Sequence, residues 1–368
     1  MKIIHCADLH LDSKMTSNFD KTKAKERKAE ILNTFVGMVK YAASNDISAI
    51  LIAGDMFDTG VVSALTRSTV LETIMENPDI AFFYLKGNHD RDGFISSLEE
   101  VPDNLVLFDE HWKSYNVSDR VVITGIELSR ANCVSCYGTL QLDEGDINIV
   151  MMHGQEMSTT VNDKVEIIDI RRLKNQSIDY LALGHIHSYK QAKLDARGTY
   201  CYPGCLEGRG FDEAGKHGFV LLDIDESTGL VKTDFIPFAH RELVVIKVDI
   251  SDCINTTQII GKIDEEIDLE GVEEKNLIEI MLTGEIDIEC EKNIDFIEKT
   301  FEARFYHVKT SDRSVYKVNF EDYRYDKSLK GEFVRKVMAE EGLSDIRKAE
   351  ILHIGFKAIA GEEISICD

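Results

Sequence analysis

The chain has 368 residues, 43% hydrophobic and 29% charged, an ordinary globular balance with length for two or three domains and a real core. Its formal net charge of −24 argues against sequence-blind attraction to DNA or to an anionic membrane; nucleic acid would need bound divalent ions or a local basic patch to offset that sign. No uninterrupted apolar run is long enough to span a bilayer.

The opening "MKIIHCADLH" enters a strand at once and reads as mature sequence rather than a cleaved leader. Short runs rich in Ile and Val follow: "KIIHCA", "ISAILIA" (47–53), "IAFFYL" (80–85), "INIVMM" (147–152) and "YLALG" (180–184). Runs of this kind predict strands covered on both faces. Between the first two, "KERKAEILNTFVGMVKYAASN" (25–45) carries Ile31, Leu32, Phe35, Val36 and Val39 at helical spacing and predicts a crossover helix. Strand, helix, strand implies a layered α/β fold, with functional groups at the carboxyl ends of the strands. Two further strands, "GFVLLDID" (218–225) and "VKTDFIPF" (231–238), precede a boundary near residue 240, marked by Pro237 and the polar "AHRE". From there strand, helix, strand, helix, strand predicts a small α/β unit. The tail carries two amphipathic helices, "SLKGEFVRKVMAEEG" (328–342) and "SDIRKAEILHIGFKAIAGEE" (344–363), with Ser344 as N-cap of the second. The expected domains are 1–240, 241–312 and 313–368. Eight cysteines are too sparse for a disulfide framework and imply a reducing, cytoplasmic location; Cys133/Cys136 and Cys201/Cys205 read as buried or loop thiols ahead of a zinc site.

The strand exits carry the chemistry: Asp8-x-His10, Gly54-Asp55-x-x-Asp58, Gly87-Asn88-His89-Asp90, His153-Gly154 and Gly184-His185-x-His187. Residues two apart in extended chain point the same way, so Asp8 with His10, and His185 with His187, can each face one point. Asp, Asn and His without thiolate suit Mn, Fe or Zn better than Mg or Ca. Paired ions about 3.5–4 Å apart can activate a water and clamp a phosphoryl oxygen. Each piece alone is a weak signal; an Asn-His after a strand is commonly just a turn. All of them at strand exits within one domain point to a dinuclear metal site.

The series D-x-H, GD-x-x-D, GNHD, H-G and GH-x-H resembles the calcineurin-like metallophosphoesterase superfamily over roughly the first 240 residues. Within it, "HCADLHLD", "IAGDMFDTG" and "LKGNHDRDG" are most similar to the SbcD-type DNA-repair exonucleases, and "SLKGEFVRKV" resembles a bacterial branch of them. The resemblance implies a layered α/β β-sandwich flanked by helices, with a smaller α/β cap domain and C-terminal helices. It implies that Asp8, His10 and His187 hold one metal and Asn88, His153 and His185 the other, with Asp55 bridging. Mn²⁺ is the first expectation for the two divalent ions, with Fe, Zn or Mg as alternatives. His89 would assist the leaving oxygen, Asp90 would orient a neighbouring histidine, and Asp58 would fix the loop or orient a ligand. Implied partners are DNA, an SbcC-like coiled-coil ATPase gripped by the tail helices, and a second copy in a homodimer.

The expected activity is metal-dependent hydrolysis of DNA phosphodiesters as an exodeoxyribonuclease. The basic stretch at 13–28, Arg91 and Arg209 are the candidate phosphate contacts. No extended basic surface accompanies them, and the segment after 240 is rich in Asp and Glu. Two alternatives stand: a phosphatase or phosphodiesterase acting on a non-DNA ester, and a DNA-end binding or assembly subunit. "GNHD" favours diesterase over protein phosphatase chemistry, and the intact ligand set speaks against a purely structural site.

Overall fold

The structure is a computed structural model of this chain and describes residues 1–15, 19–58, 62–90, 94–98, 100–157 and 166–361. The chain divides into two compact units, Met1–Glu242 and Leu243–Asp368.

In chain order the first unit contains β1 (Lys2–Cys6), α1 (Lys21–Ser44), β2 (Ala49–Ala53), α2 (Ala64–Met75), β3 (Ala81–Leu85), β4 (Leu105–Leu107), β5 (Lys113–Asn116), β6 (Val121–Gly125) and β7 (Ile147–His153). There follow β8 (Gln155–Met157), β9 (Ile167–Asp169), β10 (Tyr180–Gly184), β11 (Lys190–Lys193), β12 (Thr199–Tyr202), β13 (Gly218–Asp225) and β14 (Leu230–Pro237). Two six-stranded sheets form, ordered β14-β13-β1-β2-β3-β4 and β11-β12-β10-β7-β6-β5. Every residue of β2, β7 and β10 is buried, which is why these segments lack polar alternation. Ile3, Leu51 and Phe83 of one sheet share a core with Ile123, Ile149, Met151 and Ala182 of the other. The unit is thus a β-sandwich.

Register places the site. β1, β2 and β3 are parallel, with Cys6 opposite Ile52 and Ala53 opposite Leu85. β7 and β10 are parallel in the second sheet, with His153 opposite Gly184. The carboxyl ends within each sheet are therefore flush, and what leaves them emerges together.

The first helix is α1, capped by Asp20, whose side chain accepts from the Thr22 and Lys23 N–H groups. Its inner face buries Ile31, Phe35, Met38, Val39 and Ala42, and Tyr41 packs 5.4 Å from the Phe219 ring of β13. Within the basic stretch 13–28 the structure takes Arg27 and Lys28 out of the candidate phosphate contacts, while Lys14, Lys21 and Lys25 are exposed. Arg27 has no exposed surface. It donates to Glu30 at 2.5 Å, to Glu207 at 2.9 Å and to the Gly208 carbonyl at 3.0 Å. Lys28 pairs with Asp12 at 2.6 Å. Glu207 also accepts from Thr34 at 2.7 Å and from the His240 N–H. Removing one partner of a buried pair leaves a desolvated charge. Glu207→Ala is expected to cost roughly 3 kcal/mol in urea unfolding, the low end because Glu30 remains. A change within about 0.5 kcal/mol, the scale of surface substitutions, would contradict the burial argument.

The second unit holds β15 (Leu243–Asp249), α3 (Thr256–Glu270), β16 (Leu277–Thr283), β17 (Glu285–Asp287), α4 (Ile294–Glu302), β18 (His307–Asp312), β19 (Val315–Lys317), α5 (Phe320–Tyr323), α6 (Leu329–Met338) and α7 (Asp345–Ala360). β15, β16 and β18 make a parallel sheet; Ile259, Ile263 and Ile267 of α3 and Ile297 and Phe301 of α4 pack with it. Ser344 caps α7, its hydroxyl accepting from the Arg347 N–H. The tail helices bury Val334, Val337, Leu352 and Phe356 with Ile288 of their own unit, leaving Leu329 and Ile346 exposed. No helix of the described residues is long and apolar enough to cross a membrane.

Candidate metal centre

The chain leaving β1 runs beside the chain leaving β2: Asp8 N–H donates to the Gly54 carbonyl at 3.0 Å and His10 N–H to the Asp55 carbonyl at 3.0 Å. Asp8 in turn accepts the His185 N–H on both carboxylate oxygens at 2.9 Å, tying the β1 exit to that of β10 in the other sheet. Gly54, at φ +90°, is obligatory here because a Cβ would lie 2.2 Å from His153 Nδ1. Asp8, His10, Asp12, Asp55 and His185 all adopt positive φ, between 44° and 102°, which L-residues other than glycine seldom do.

Among the described residues three donor groups result, and one of them, His10, Asp58 and His89, shares His10 with the first of the two sets that follow. Ligand-type atoms of Asp8, His10 and His187 lie within 4.8 Å of one another, and so do those of Asp55, His153 and His185. The Asn88 Oδ1 atom sits 3.1 Å from both His153 Nε2 and His185 Nδ1, and so joins the second set. Asp55 belongs to the second set: Oδ1 accepts the His89 N–H at 2.8 Å and Oδ2 lies 3.4 Å from His153 Nε2. His153 is held from behind by its Nδ1, 2.9 Å from the Ala53 carbonyl, which turns Nε2 inward.

These residues fit divalent cations. The Nε2 atoms of His10 and His187 lie 3.1 Å apart, near enough for both rings to be donors to one cation. Asp8 is fully buried, and burial first of all pushes its carboxyl up to about 6, so a buried anion there calls for a cation. Burial would raise Asp55 as well, but the His153 ring outweighs it and holds that carboxyl well below the usual range. Burial lowers His153, yet Asp55 and then Asp8 push it up to about 9: the carboxylates draw positive charge into the pocket. The donors are O and N only; Cys133, Cys136, Cys201 and Cys205 are buried free thiols outside these sets.

The other expected residues fall in three places. His89 is at the mouth with its side chain 45% exposed, its Nδ1 4.0 Å from Asp58 Oδ1 and its ring 5.0 Å from that of His10. Asp90 differs from expectation. Its oxygens accept from the backbone N–H groups of Met56 (3.1 Å), Phe57 (2.9 Å) and Gly87 (3.0 Å), so it knots two loops where a histidine was the expected partner. Arg209 differs too: it is directed at Asp58 (3.0 Å) and Glu213 (2.7 Å), so two carboxylates take up its charge. Arg91 lies outside the described residues. Glu213, whose Oε1 is 2.7 Å from His187 Nδ1, and Asp12, which accepts from Ser63 and Thr66 of the α2 start, went unread in the sequence. Glu213 stands in "GCLEGRGFDE", a stretch singled out only for its arginine.

A family model described as calcineurin-like phosphoesterase matches residues 1–189, just over half of the chain. Among curated proteins, a DNA double-strand break repair protein Mre11 from Methanopyrus kandleri is 24% identical, covering 67% of this chain and 59% of its own. The uncharacterized metallophosphoesterase YhaO of Bacillus subtilis is 26% identical over 72% of this chain and 67% of its own. A Saccharolobus solfataricus Mre11 is 23% identical over 67% of this chain and 66% of its own, so the chain spans about three fifths to two thirds of these relatives. Among solved structures, TT1561 of Thermus thermophilus has a TM-score of 0.43 and 12% identity, covering 64% of this chain and 98% of its own. A dimetal phosphatase of Danio rerio has 0.39 and 10%, over 60% and 92%. The match over residues 1–189 takes in every strand exit from which the candidate ligands emerge, and by it this chain belongs to the calcineurin-like phosphoesterases, the metallophosphoesterase hydrolases.

Proposed function

We propose that the chain hydrolyses phosphodiester bonds of DNA as a dinuclear metal-dependent nuclease of end processing and repair, of the SbcD type. The observation that carries this is the donor set gathered from strand exits of both sheets, with His89 standing exposed beside it. Relatives named for DNA double-strand break repair, 22–24% identical, support the choice of substrate. Asp8, His10 and His187 would hold one ion and Asn88, His153 and His185 the other, with Asp55 between them; Mn²⁺ is the expected metal. Such ions, when bound, supply charge stabilisation at the phosphoryl oxygens and acidify a water. The chain's own residues do the rest. Asp55 is held in place by the His89 backbone N–H, and the His89 ring is placed to hold a proton at the leaving oxygen. Asp90 acts through the backbone it knots. Residues 1–240 would be the catalytic domain, 241–312 a cap, and 313–368 a docking region for an SbcC-like ATPase; homodimerisation and a cytoplasmic location complete the reading.

With Mn²⁺, the purified chain is expected to degrade linear duplex DNA and to cleave bis-p-nitrophenyl phosphate, with chelation abolishing both. Brisk hydrolysis of p-nitrophenyl phosphate with no cleavage of any DNA would replace this reading with a phosphatase. That second reading has its own support in the net charge of −24 and in the Bacillus relative, described only as a metallophosphoesterase. DNA binding without cleavage under any metal would favour an assembly subunit.

A further inference from the structure

We propose that Arg209 is a positioning residue for one half of the metal centre: its guanidinium holds Asp58 and Glu213 together, and these fix the rings of His10 and His187. The inference rests on the metal-centre reading above.

His10 and His187 must present Nε2 lone pairs to a cation, so each needs its proton on Nδ1, and something must hold that proton. His187 Nδ1 lies 2.7 Å from Glu213 Oε1. His10 Nδ1 lies 3.2 Å from Asp58 Oδ1, an ion-pair distance whose N–H is not squarely aimed at the oxygen, and no other partner stands at this nitrogen among the described residues. The two carboxylates come from distant segments, Asp58 from the β2 exit and Glu213 from the turn after β12. Arg209 joins them. Nη1 donates to Asp58 Oδ1 at 3.0 Å and Nη2 to Glu213 Oε1 at 2.7 Å, its backbone N–H donates to Glu213 Oε2 at 2.7 Å, and Nη2 also lies 3.2 Å from His187 Nδ1, so the guanidinium borders the ring as well as its carboxylate. Only a planar fork can span two carboxylates in this way; a lysine ammonium is a single point of charge.

Glu213 is fixed from behind as well. His217 Nε2 lies 2.6 Å from the Glu213 carbonyl, and the Cys205 sulfur lies 3.2 Å from His217 Nδ1 and 3.8 Å from Glu213 Oε2, all of them buried. The other half of the centre is held differently: His153 Nδ1 is set by the Ala53 carbonyl and Asp55 by the His89 N–H. Loss of the arginine should therefore weaken one metal equivalent and spare the other. That asymmetry separates positioning from general support of the fold.

The test is Mn²⁺ titration of the metal-stripped chain by calorimetry, with electron paramagnetic resonance counting coupled and isolated ions and circular dichroism checking the fold. The parent chain should take two equivalents. Arg209→Ala and Arg209→Lys should keep one and bind the second about 10–100-fold more weakly. Glu213→Gln, which retains an acceptor for the His187 proton, should recover much of the affinity that Glu213→Ala loses. Two undiminished equivalents in the arginine variants would overturn the inference. So would equal weakening of both, or a glutamine variant no better than alanine. A parent chain that binds no Mn²⁺ would instead bring down the metal-centre reading, and this inference with it. Should Arg209→Ala not fold, the lysine and glutamine variants carry the comparison.

Discussion

His89→Ala is expected to slow DNA cleavage by about 10²–10⁴-fold, the range for a positioned proton-transfer group, with both metal equivalents retained. The separation of the two readouts follows from geometry. The ring of His89 is at the mouth beside His10 and Asp58, while its backbone N–H, which alanine keeps, holds Asp55 in the other donor set. The loss should shrink on bis-p-nitrophenyl phosphate, whose nitrophenolate leaves without a proton, and be full on DNA, whose leaving alkoxide needs one. Steady-state rates on both substrates, beside Mn²⁺ titration, check it. Unchanged cleavage of DNA would remove the role, and loss of metal together with turnover would make His89 a ligand support.

Gly87→Ala should cost on the order of 10²-fold in turnover although it adds a single methyl group. The added Cβ would lie 2.2 Å from Asp55 Oδ1 and 2.6 Å from the Asp55 backbone nitrogen. A backbone atom cannot swing aside as a lysine tip can, so either Asp55 or the loop after β3 moves. A shift of about 1 Å in a positioned group is worth about 10² in rate. Gly138→Ala is the control, since a methyl there meets open space. Equal rates for the two variants would mean that Asp55 tolerates displacement and is not the shared ligand.

What the sequence made legible was local. "LIAGDMFD" and "LKGNHD" each join a buried run to a turn and to ligand-type side chains within a few residues, and the sandwich puts those turns on one edge. Arg27 shows how a local reading fails when phase is ignored. By charge it belongs to a basic run, yet it lies four residues before Ile31 and eight before Phe35, on the helix face that turns inward. Asp90 shows a second kind of miss: of its three N–H partners only Gly87 is in its own turn, while Phe57 and Met56 lie 33 and 34 positions away and are brought near by folding. Glu213 had only a faint signal, a carboxylate four residues after an arginine, because its partner His187 lies 26 positions away and is brought near by folding alone. Positive φ at aspartates and histidines leaves no mark in composition at all.

Those backbone conformations bear on how much change the protein can absorb. Each non-glycine residue held at positive φ costs about 1–3 kcal/mol, set against a net stability that in ordinary domains is about 5–15 kcal/mol. Glycine would relieve the cost at any of the positions, yet Asp8, His10, Asp55 and His185 are themselves candidate ligands and Asp12 is bonded to the start of α2. The relaxing substitution and the disabling one are the same. The protein thus carries a fixed debit at its working edge, and its mutational robustness has to come from elsewhere, from the sandwich core of Ile3, Leu51, Ile149 and their neighbours. Lineages that gave up the chemistry would be free to become more stable at these positions; those that keep it are not.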